Sequence, residues 1–242
     1  MPVPLTNKVV LAVGASSGIG FAAVEQFAQE GAKVMASARR EDRLLSLQKK
    51  LQAQGHSIQI QAADATKPAD MQRLVADTEA RLGRIEILLF AAGTNTPDRA
   101  MSRLNPTIWD EMVTVNLNSA YYITHAVLPS MRNAKDGHLI YVSSISGLLT
   151  DISGASYQAA KRGVVGLAHA LRLEEKENGI RTCAICPGLV ETEILAKRPV
   201  QPTAEILQHA LQPEDIADAI IAVAKMPARA AVPEMQIMPA RL

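Results

Sequence analysis

Two side chains four positions apart, Tyr157 and Lys161, have the types and spacing needed for proton transfer. An i, i+4 pair lies on one side of a helix. A phenol titrates near pH ~10, so it exchanges a proton at neutral pH only where a neighbour stabilises the phenolate, and an ammonium group does so. Ser143 and Ser144 end the preceding apolar run, where a hydroxyl can polarise a carbonyl held against the same tyrosine. The set predicts acid–base chemistry at a substrate oxygen.

A glycine-rich turn follows the first apolar run, near the start of the chain. Its members are Gly14, Ser16, Ser17, Gly18, Ile19 and Gly20. Glycines let a pyrophosphate approach the backbone, and the amides and dipole at a helix start favour an anion. A tight strand-to-helix turn needs glycine with or without a ligand, so the motif alone leaves both interpretations open. Its place after the first strand of an alternating chain favours dinucleotide binding.

The end of the second predicted strand should meet the adenosine ribose. An acidic residue there favours NAD, whereas this chain has Ala38 followed by Arg39 and Arg40. Because arginine pairs with a 2′-phosphate, these residues predict NADP(H), with Arg39 expected to contribute more than Arg40. The alternative is that both arginines only solvate a helix start, a placement that the helix dipole disfavours. Asp64, after the third strand, either accepts from an adenine amino group or caps a turn.

The elements that must position these residues alternate along the chain. Strands are predicted at residues 9–13, 33–38, 58–62, 87–91, 138–143, 181–186 and 235–238, and helices at 18–30, 42–54, 68–81, 108–131, 155–178 and 213–225. This alternation predicts an α/β fold in which a parallel sheet of seven strands is flanked by helices on both faces. With no linker or repeat, we expect one domain over residues 1–242. The irregular segment 189–212 is typical of a substrate lid.

Composition excludes several classes of protein. The chain has 242 residues, of which 48% are hydrophobic, and a net charge of +1. That charge supplies no field to gather nucleic acid. No apolar run approaches the roughly 20 residues of a membrane span, and the start lacks a signal core, so we expect a soluble cytoplasmic protein without nucleic-acid or membrane partners. The histidines are scattered, which predicts no metal site. Cys183 and Cys186 fall on one predicted strand and face opposite ways, which favours core thiols over a redox pair.

The motifs occur together in a recognisable order: Gly14-x-x-x-Gly18-x-Gly20, Ser144, Tyr157-x-x-x-Lys161 and Pro187-Gly188. The chain resembles the short-chain dehydrogenase/reductase family over essentially its full length. The resemblance implies a Rossmann-type doubly wound sheet with strand order 3-2-1-4-5-6-7. It also implies a nicotinamide cofactor and hydride exchange with a carbonyl or alcohol carbon. The Ala-Arg-Arg end of strand two looks like that of NADP-preferring members.

The resemblance implies a role for each motif residue. Tyr157 is the general acid/base, Ser144 orients the substrate oxygen, and Lys161 holds the nicotinamide ribose while lowering the tyrosine pKa. Asn116 matches the asparagine that holds a water in the proton relay, and Asp64 matches the acidic residue near adenine. Further cofactor contacts are implied at Ala92, Gly93, Pro187, Gly188, Val190 and Thr192. In members of the family the helix that carries the Tyr and Lys also joins a partner, which makes a homodimer or homotetramer the expected assembly.

The chain departs from the family pattern at two places. Phe90 and Ala91 replace two asparagines after strand four, and Val13 replaces a threonine before the first glycine. These changes remove local hydrogen bonds and leave the catalytic residues intact. Residues expected to line the substrate pocket are Leu148, Leu149, Leu189, Ile194 and Leu195, with polar contacts from Thr94, Asn95, Lys197 and Arg198.

Three functions remain open from the sequence. The leading one is an NADPH-linked ketone or aldehyde reductase, or alcohol dehydrogenase, acting on a small molecule. The runner-up is a 3-oxoacyl thioester reductase of the fatty-acid type, which a basic rim around the pocket would favour because acyl-carrier partners are acidic. The third is a module that binds NADP without turnover.

Overall fold

Seven parallel strands form one sheet in the computed structural model, which describes residues 2–241. The strands are β1 (Val9–Val13), β2 (Lys33–Ala38), β3 (Ile58–Ala62), β4 (Ile87–Phe90), β5 (Gly137–Val142), β6 (Ile180–Pro187) and β7 (Glu234–Ile237). Their order, β3-β2-β1-β4-β5-β6-β7, confirms the predicted topology. Because β1 lies between β2 and β4, the chain changes direction across the sheet there, and ligands of doubly wound sheets bind at such a switch point.

Helices connect the strands and cover both faces of the sheet. They are α1 (Gly18–Gln29), α2 (Glu41–Ala53), α3 (Pro68–Leu82), α4 (Pro106–Val113), α5 (Ser119–Ala134), α6 (Ala155–Glu174), α7 (Ala204–Leu207) and α8 (Pro213–Ala224). Two predicted helices differ from the structure. The helix expected over 108–131 is divided by a π-helical turn at Thr114–Asn118, and the one expected over 155–178 ends at Glu174 before a separate 3₁₀ turn, Lys176–Asn178.

The core has two layers, one on each face of the sheet, because strand side chains alternate between the faces. Val10 and Ala12 of β1 pack with α1, α2 and α8, whereas Leu11 packs with α3, α5 and α6 on the other face. Cys183 lies in the first layer and Cys186 in the second, and both are buried free thiols. The prediction of two separate core thiols is confirmed. Within residues 2–241, the helices are too short or too polar to cross a bilayer.

The segment 189–212 contains short helical turns rather than being fully irregular. It comprises the 3₁₀ helix Glu193–Lys197 and the single-turn α7. A bridge between Val190 and Leu211 joins its two ends. The segment therefore leaves the sheet edge and returns to it at one point, beside the carboxyl end of β6.

Two of the motif glycines are required by packing inside the protein. Gly14 has a φ of +96°, and a Cβ on it would lie 2.4 Å from the Ala92 amide nitrogen. A Cβ on Gly20 would lie 2.3 Å from the Gly14 carbonyl oxygen. Both clashes are with backbone, which cannot rotate away. These glycines hold β1, α1 and the end of β4 together.

We expect Gly20→Ala to lower the free energy of unfolding by at least about 2 kcal/mol, because overpacking against backbone forces the helix start to shift. Gly166→Ala is the matched control, since a Cβ at this exposed position of α6 meets no atom within 4 Å. There the better helix propensity of alanine should add up to about 1 kcal/mol. Urea unfolding measures both values, and equal stability of the two variants would contradict this account of the turn.

Candidate active site

Tyr157, Lys161 and Ser144 come together at the carboxyl end of β5. Tyr157 and Lys161 lie on the first turns of α6, and the Lys161 Nζ is 5.7 Å from the centre of the Tyr157 ring. Ser144 caps the 3₁₀ turn after β5, where its Oγ accepts from the Ser146 amide at 3.1 Å and donates to Ser146 Oγ at the same distance. The structure thus brings the three sequence-predicted catalytic side chains into one group.

Two hydrogen bonds fix α6 against the end of β5. The Lys161 ammonium donates to the Val142 carbonyl at 3.0 Å, and the Ser143 hydroxyl donates to the Lys161 carbonyl at 2.9 Å. Ser143 is therefore occupied in joining the helix to the strand. Ser144 is the serine of this pair that lies at the site, as the spacing to Tyr157 predicts.

Burial sets the protonation state of both titrating groups. It raises the pKa of Tyr157 to about 12, although the nearby Ser144 hydroxyl and the positive charges of Arg198 and Arg99 act in the opposite direction. Burial also lowers the pKa of Lys161 to about 8. Loss of water outweighs the neighbouring charges in the net shift of Tyr157, and the sequence-based expectation that Lys161 lowers the tyrosine pKa stays a prediction. Tyr157 is thus a protonated acid at neutral pH, beside a largely charged Lys161.

Asn116 lies in the π-helical turn that divides the predicted helix. The Ser119 amide donates to the Thr114 carbonyl, five residues earlier, so one residue is inserted relative to an α-helix. The buried Asn116 side chain accepts from the Thr94 amide at 3.0 Å and donates to the Met112 carbonyl at 2.9 Å. Single π turns occur often at functional sites. This turn places Asn116 near Lys161: a Cβ on Gly93 would lie 3.1 Å from Asn116 Oδ1 and 3.4 Å from Lys161 Nζ.

At the glycine turn, the backbone amides at the start of α1 can bind an anion. Ser17 is the N-cap residue, yet its side chain does not cap the helix, and the first turn of α1 contains no acidic residue. The amides of a helix start without such partners bind phosphate well. Across the turn, a Cβ on Gly18 would lie 3.0 Å from Thr192 Cγ2. The turn and the segment after β6 are therefore in contact at this point.

Arg40, rather than Arg39, points to the glycine turn. Its guanidinium donates to Ser16 Oγ at 3.0 and 3.2 Å and to Ser17 Oγ at 2.8 Å, although both Arg39 and Arg40 are exposed. Arg40 also pairs with Glu193 of the segment 189–212 at 2.9 Å. Arg43 pairs with the same carboxylate at 2.7 Å. Arg40, which the sequence analysis assigned to a 2′-phosphate, and Arg43, which it did not name, thus hold a carboxylate at the place where the ribose is expected.

The remaining residues that the sequence analysis assigned to the cofactor make different contacts in the structure. Asp64 Oδ1 accepts from the Thr66 amide and hydroxyl at 3.0 and 2.8 Å, so it caps its own turn, as the alternative interpretation holds. Gly188 follows β6, and its amide donates to Ile237 of β7 at 2.8 Å. Ala92, which follows β4, lies next to Gly14: a Cβ on Gly14 would be 2.4 Å from the Ala92 amide nitrogen. The family resemblance places the cofactor against the backbone of these segments.

One residue near Tyr157 was missed by the sequence analysis. Arg99 lies between β4 and α4 and is only 7% exposed. Its charge acts on Tyr157, and it contacts the segment 189–212 by donating to the Lys197 carbonyl at 3.2 Å. No motif contains this arginine, and arginine is usually exposed, so the sequence held no signal for its burial.

Comparison with known proteins identifies the family. A family model described as short chain dehydrogenase matches residues 8–202. Two uncharacterized oxidoreductases of Staphylococcus saprophyticus are 36% and 33% identical to the chain, over 96% and 98% of its length and 96% and 99% of theirs. The chain therefore belongs to the short chain dehydrogenase family. It is an oxidoreductase that uses a nicotinamide cofactor.

Solved structures agree in fold. An alcohol dehydrogenase from the archaeon Thermococcus sibiricus, complexed with 5-hydroxy-NADP, has a TM-score of 0.86 at 25% identity and covers 97% of each chain. A serine dehydrogenase complexed with NADP⁺ has a TM-score of 0.87 at 30% identity, covering 95% of this chain and 94% of the other. A point variant of actinorhodin polyketide ketoreductase with NADPH has a TM-score of 0.89 at 27% identity, covering 99% and 98%. The comparison supports the Rossmann fold of the sheet.

We expect kcat/KM for carbonyl reduction to fall as the pH rises through about 8. The pKa of Lys161 lies below its ordinary value, so its charge is present below pH 8 and lost above it. Initial rates with saturating NADPH from pH 6.5 to 10 measure this. In Lys161→Arg the guanidinium keeps its charge, and the residual activity should not change at pH 8. A parent profile that stays flat from pH 7 to 10 would contradict the assignment.

Proposed function

We propose that this protein is an NADPH-linked carbonyl reductase, which acts as an alcohol dehydrogenase in the reverse direction on a small ketone, aldehyde or secondary alcohol. The observation that carries the proposal is the grouping of Ser144, Tyr157 and Lys161 at the carboxyl edge of the sheet, beside the glycine turn. The phenol that burial keeps protonated suits a general acid in carbonyl reduction. The alcohol dehydrogenase and ketoreductase among the structural neighbours are proteins of compatible chemistry.

The residues of the chain have separable roles in this reaction. Ser144 donates to the substrate oxygen and holds it against the Tyr157 hydroxyl, which donates the proton that completes the alcohol. Lys161, anchored on the Val142 carbonyl, holds positive charge beside the tyrosine as its proton leaves. Asn116 orders the Thr94 backbone next to them. When bound, the reduced nicotinamide supplies the hydride.

We also propose that the protein prefers NADP(H) to NAD(H). Arg40 carries this proposal, because its guanidinium already contacts the Ser16 and Ser17 hydroxyls of the glycine turn. A 2′-phosphate at that place would receive charge-assisted hydrogen bonds from Arg40. Glu193 now accepts from the same guanidinium, so a 2′-phosphate would compete with this carboxylate. The sequence-based assignment to Arg39 stays a prediction.

The boundaries of the functional unit and its assembly are further proposals. We propose one catalytic domain over residues 1–242, with the segment 189–212 as its substrate lid, joined at the base by Val190 and Leu211. We also propose a homo-oligomer, supported by exposed apolar side chains on α4, α5 and α6. These side chains are Trp109, Tyr121 and Leu173.

A second candidate function, reduction of a 3-oxoacyl thioester, is favoured by one observation. Lys197 is exposed and Arg198 is half-buried at the rim of the lid, which gives the basic rim that an acidic acyl carrier would meet. A binding module without turnover has no such support, since all of the catalytic side chains lie together. A panel of ketones, aldehydes and 3-oxoacyl thioesters, followed by NADPH absorbance, separates these functions.

We expect Tyr157→Phe to lose at least about 1,000-fold in kcat while still binding NADPH, because the substitution removes only the transferred proton's donor. Absorbance at saturating NADPH measures turnover, and quenching of protein fluorescence measures binding. Tyr122→Phe, on the neighbouring helix α5, is the matched control and should keep parental rates. Parental turnover by Tyr157→Phe would refute the proposed acid.

We expect Arg40→Ala to weaken NADPH binding by roughly 10- to 100-fold and NADH binding little, because only NADPH loses charge-assisted hydrogen bonds. Glu193→Gln should have the opposite effect and tighten NADPH binding selectively, since it removes the competing carboxylate. Arg39→Ala, at the exposed neighbouring position, is the control that compares the two arginines. Titration calorimetry with both coenzymes measures the ratio of the NADPH and NADH dissociation constants for each variant. If Arg40→Ala discriminates as well as the parent, the assignment to Arg40 fails.

A further inference from the structure

We propose that the substrate carries a carboxylate close to its reacting carbonyl, and that Arg99, Lys197 and Arg198 bind that carboxylate. We call these three residues the cationic cluster. The inference rests on the proposed carbonyl reductase function and adds the substrate class: a small oxo acid, reduced to the hydroxy acid. The cluster lies at the opposite end of the site from the Arg40–Glu193 pair.

The first step is the position of Arg99 beside the catalytic helix. Its Cβ and backbone lie against Gly154, the N-cap residue of α6, where an added Cβ would be 2.5 Å from Arg99 Cβ. Its guanidinium donates to the backbone carbonyls of Thr96, Ile152 and Lys197 at 3.3, 3.5 and 3.2 Å. These are long hydrogen bonds to three separate segments, and guanidinium has five N–H donors. Arg99 is therefore held in place with donor capacity remaining.

The second step is the contact between Lys197 and the catalytic residues. The Lys197 ammonium donates to Thr94 Oγ1 at 2.5 Å, and the Thr94 amide donates to the buried Asn116 Oδ1 at 3.0 Å. One residue thus separates the ammonium from Asn116. Lys197 ends the 3₁₀ helix of the lid, so this contact also places the neighbouring Arg198 over the same region.

The third step is the balance of charge around Tyr157. Arg198 lies close enough to Arg99 for its charge to act on that guanidinium, and the charges of both arginines act on Tyr157. The nearby carboxylate, Asp151, already accepts from the Ser146 hydroxyl at 2.5 Å and from the Ser153 amide and hydroxyl at 2.8 and 3.0 Å. Over residues 2–241, the cationic cluster has no carboxylate within 4.0 Å. Asp151 acts on Arg99 from beyond ion-pair distance, so the buried Arg99 guanidinium has no direct counter-ion among the described residues. A buried cation in that state is costly, which makes the site complementary to an anion.

The fourth step is the choice of anion. Arg99 is only 7% exposed, which places it beyond the reach of an acidic protein docking on the surface. A carboxylate on a small substrate fits it better, because the planar guanidinium and the planar carboxylate match in geometry. Leu148 and Leu195, which the sequence analysis expects at the substrate pocket, are half-buried and buried apolar residues, and such residues suit a short carbon chain between the two polar groups.

The proposed step balances without any further reactant. The hydride from NADPH forms the new C–H bond at the carbonyl carbon, and the proton from the Tyr157 hydroxyl forms the O–H bond. The carbonyl carbon is reduced, the nicotinamide is oxidised, and the carboxylate is unchanged. The cationic cluster only positions the acid and neutralises its charge.

Matched substrate pairs test the inference on the full-length protein with saturating NADPH. The pairs are pyruvate with methyl pyruvate and acetoacetate with methyl acetoacetate, together with butanone and a 3-oxoacyl thioester. We expect at least one acid to exceed its own ester by at least about 10-fold in kcat/KM, because the ester loses the charge-assisted hydrogen bonds.

Variants of the cationic cluster then locate the effect. Arg198→Met and Arg99→Met should raise KM for the acid by roughly 10- to 100-fold more than KM for the ester. Loss of either charge also acts on Tyr157, and that effect on kcat should be the same for the acid and the ester. Arg103→Met is the matched control, because this exposed arginine pairs with Asp98 at 3.4 Å and lies outside the cluster. Turnover of the ester reports the folding of each variant, and Arg198→Met tests the cluster even if Arg99→Met is unstable.

Each outcome decides the inference. Acids that exceed their esters, with the loss confined to the cluster variants, support it. Esters, butanone or the thioester reduced as well as or better than the acids would overturn the carboxylate substrate and leave the carbonyl reductase function standing. An acid preference that is unchanged in Arg198→Met and Arg99→Met would overturn the cluster as its binding site. Binding of NADPH without turnover of any compound would reject the reductase function and the inference together.

Discussion

The catalytic geometry depends on the way α6 is joined to the end of β5. The Ser143 hydroxyl donates to the Lys161 carbonyl, and the Lys161 ammonium donates to the Val142 carbonyl. Gly147 makes this close approach possible, because a Cβ there would lie 2.9 Å from the Lys161 carbonyl oxygen and 2.8 Å from Ser143 Oγ. These contacts fix Tyr157 relative to the strand end that carries Ser144. A helix displaced by one residue would separate the acid from the serine.

Charge in the site is divided between two ends of one short segment. The 3₁₀ helix Glu193–Lys197 begins with the carboxylate that pairs with Arg40 and Arg43 and ends with the ammonium that contacts Thr94. Its first residue therefore lies at the proposed cofactor phosphate and its last residue at the proposed substrate carboxylate. Leu195, which lies between them, is buried.

Burial shifts the pKa of Tyr157 and the pKa of Lys161 in opposite directions, although the physical cause is the same. Removing water disfavours the charged form of any group, so the pKa of Tyr157 rises and that of Lys161 falls. The result is a neutral phenol beside a cation, with further positive charge from Arg99 and Arg198. The positive charges favour donation of the tyrosine proton and so oppose the effect of burial, and they favour a substrate whose own charge is negative.

The sequence by itself determined the sheet, its order through the family resemblance, and the motif residues. β1, β2 and β3 match their predicted bounds because strand signals are local, whereas the helix around Asn116 was wrong in detail because a single inserted residue inside a continuous helical run is not marked by local residue types. Only the tertiary structure decided that Arg40 contacts the glycine turn, that Arg99 is buried, and that the pKa of Tyr157 is raised. Side-chain direction and loss of water depend on segments far apart in the chain, and no local pattern encodes them.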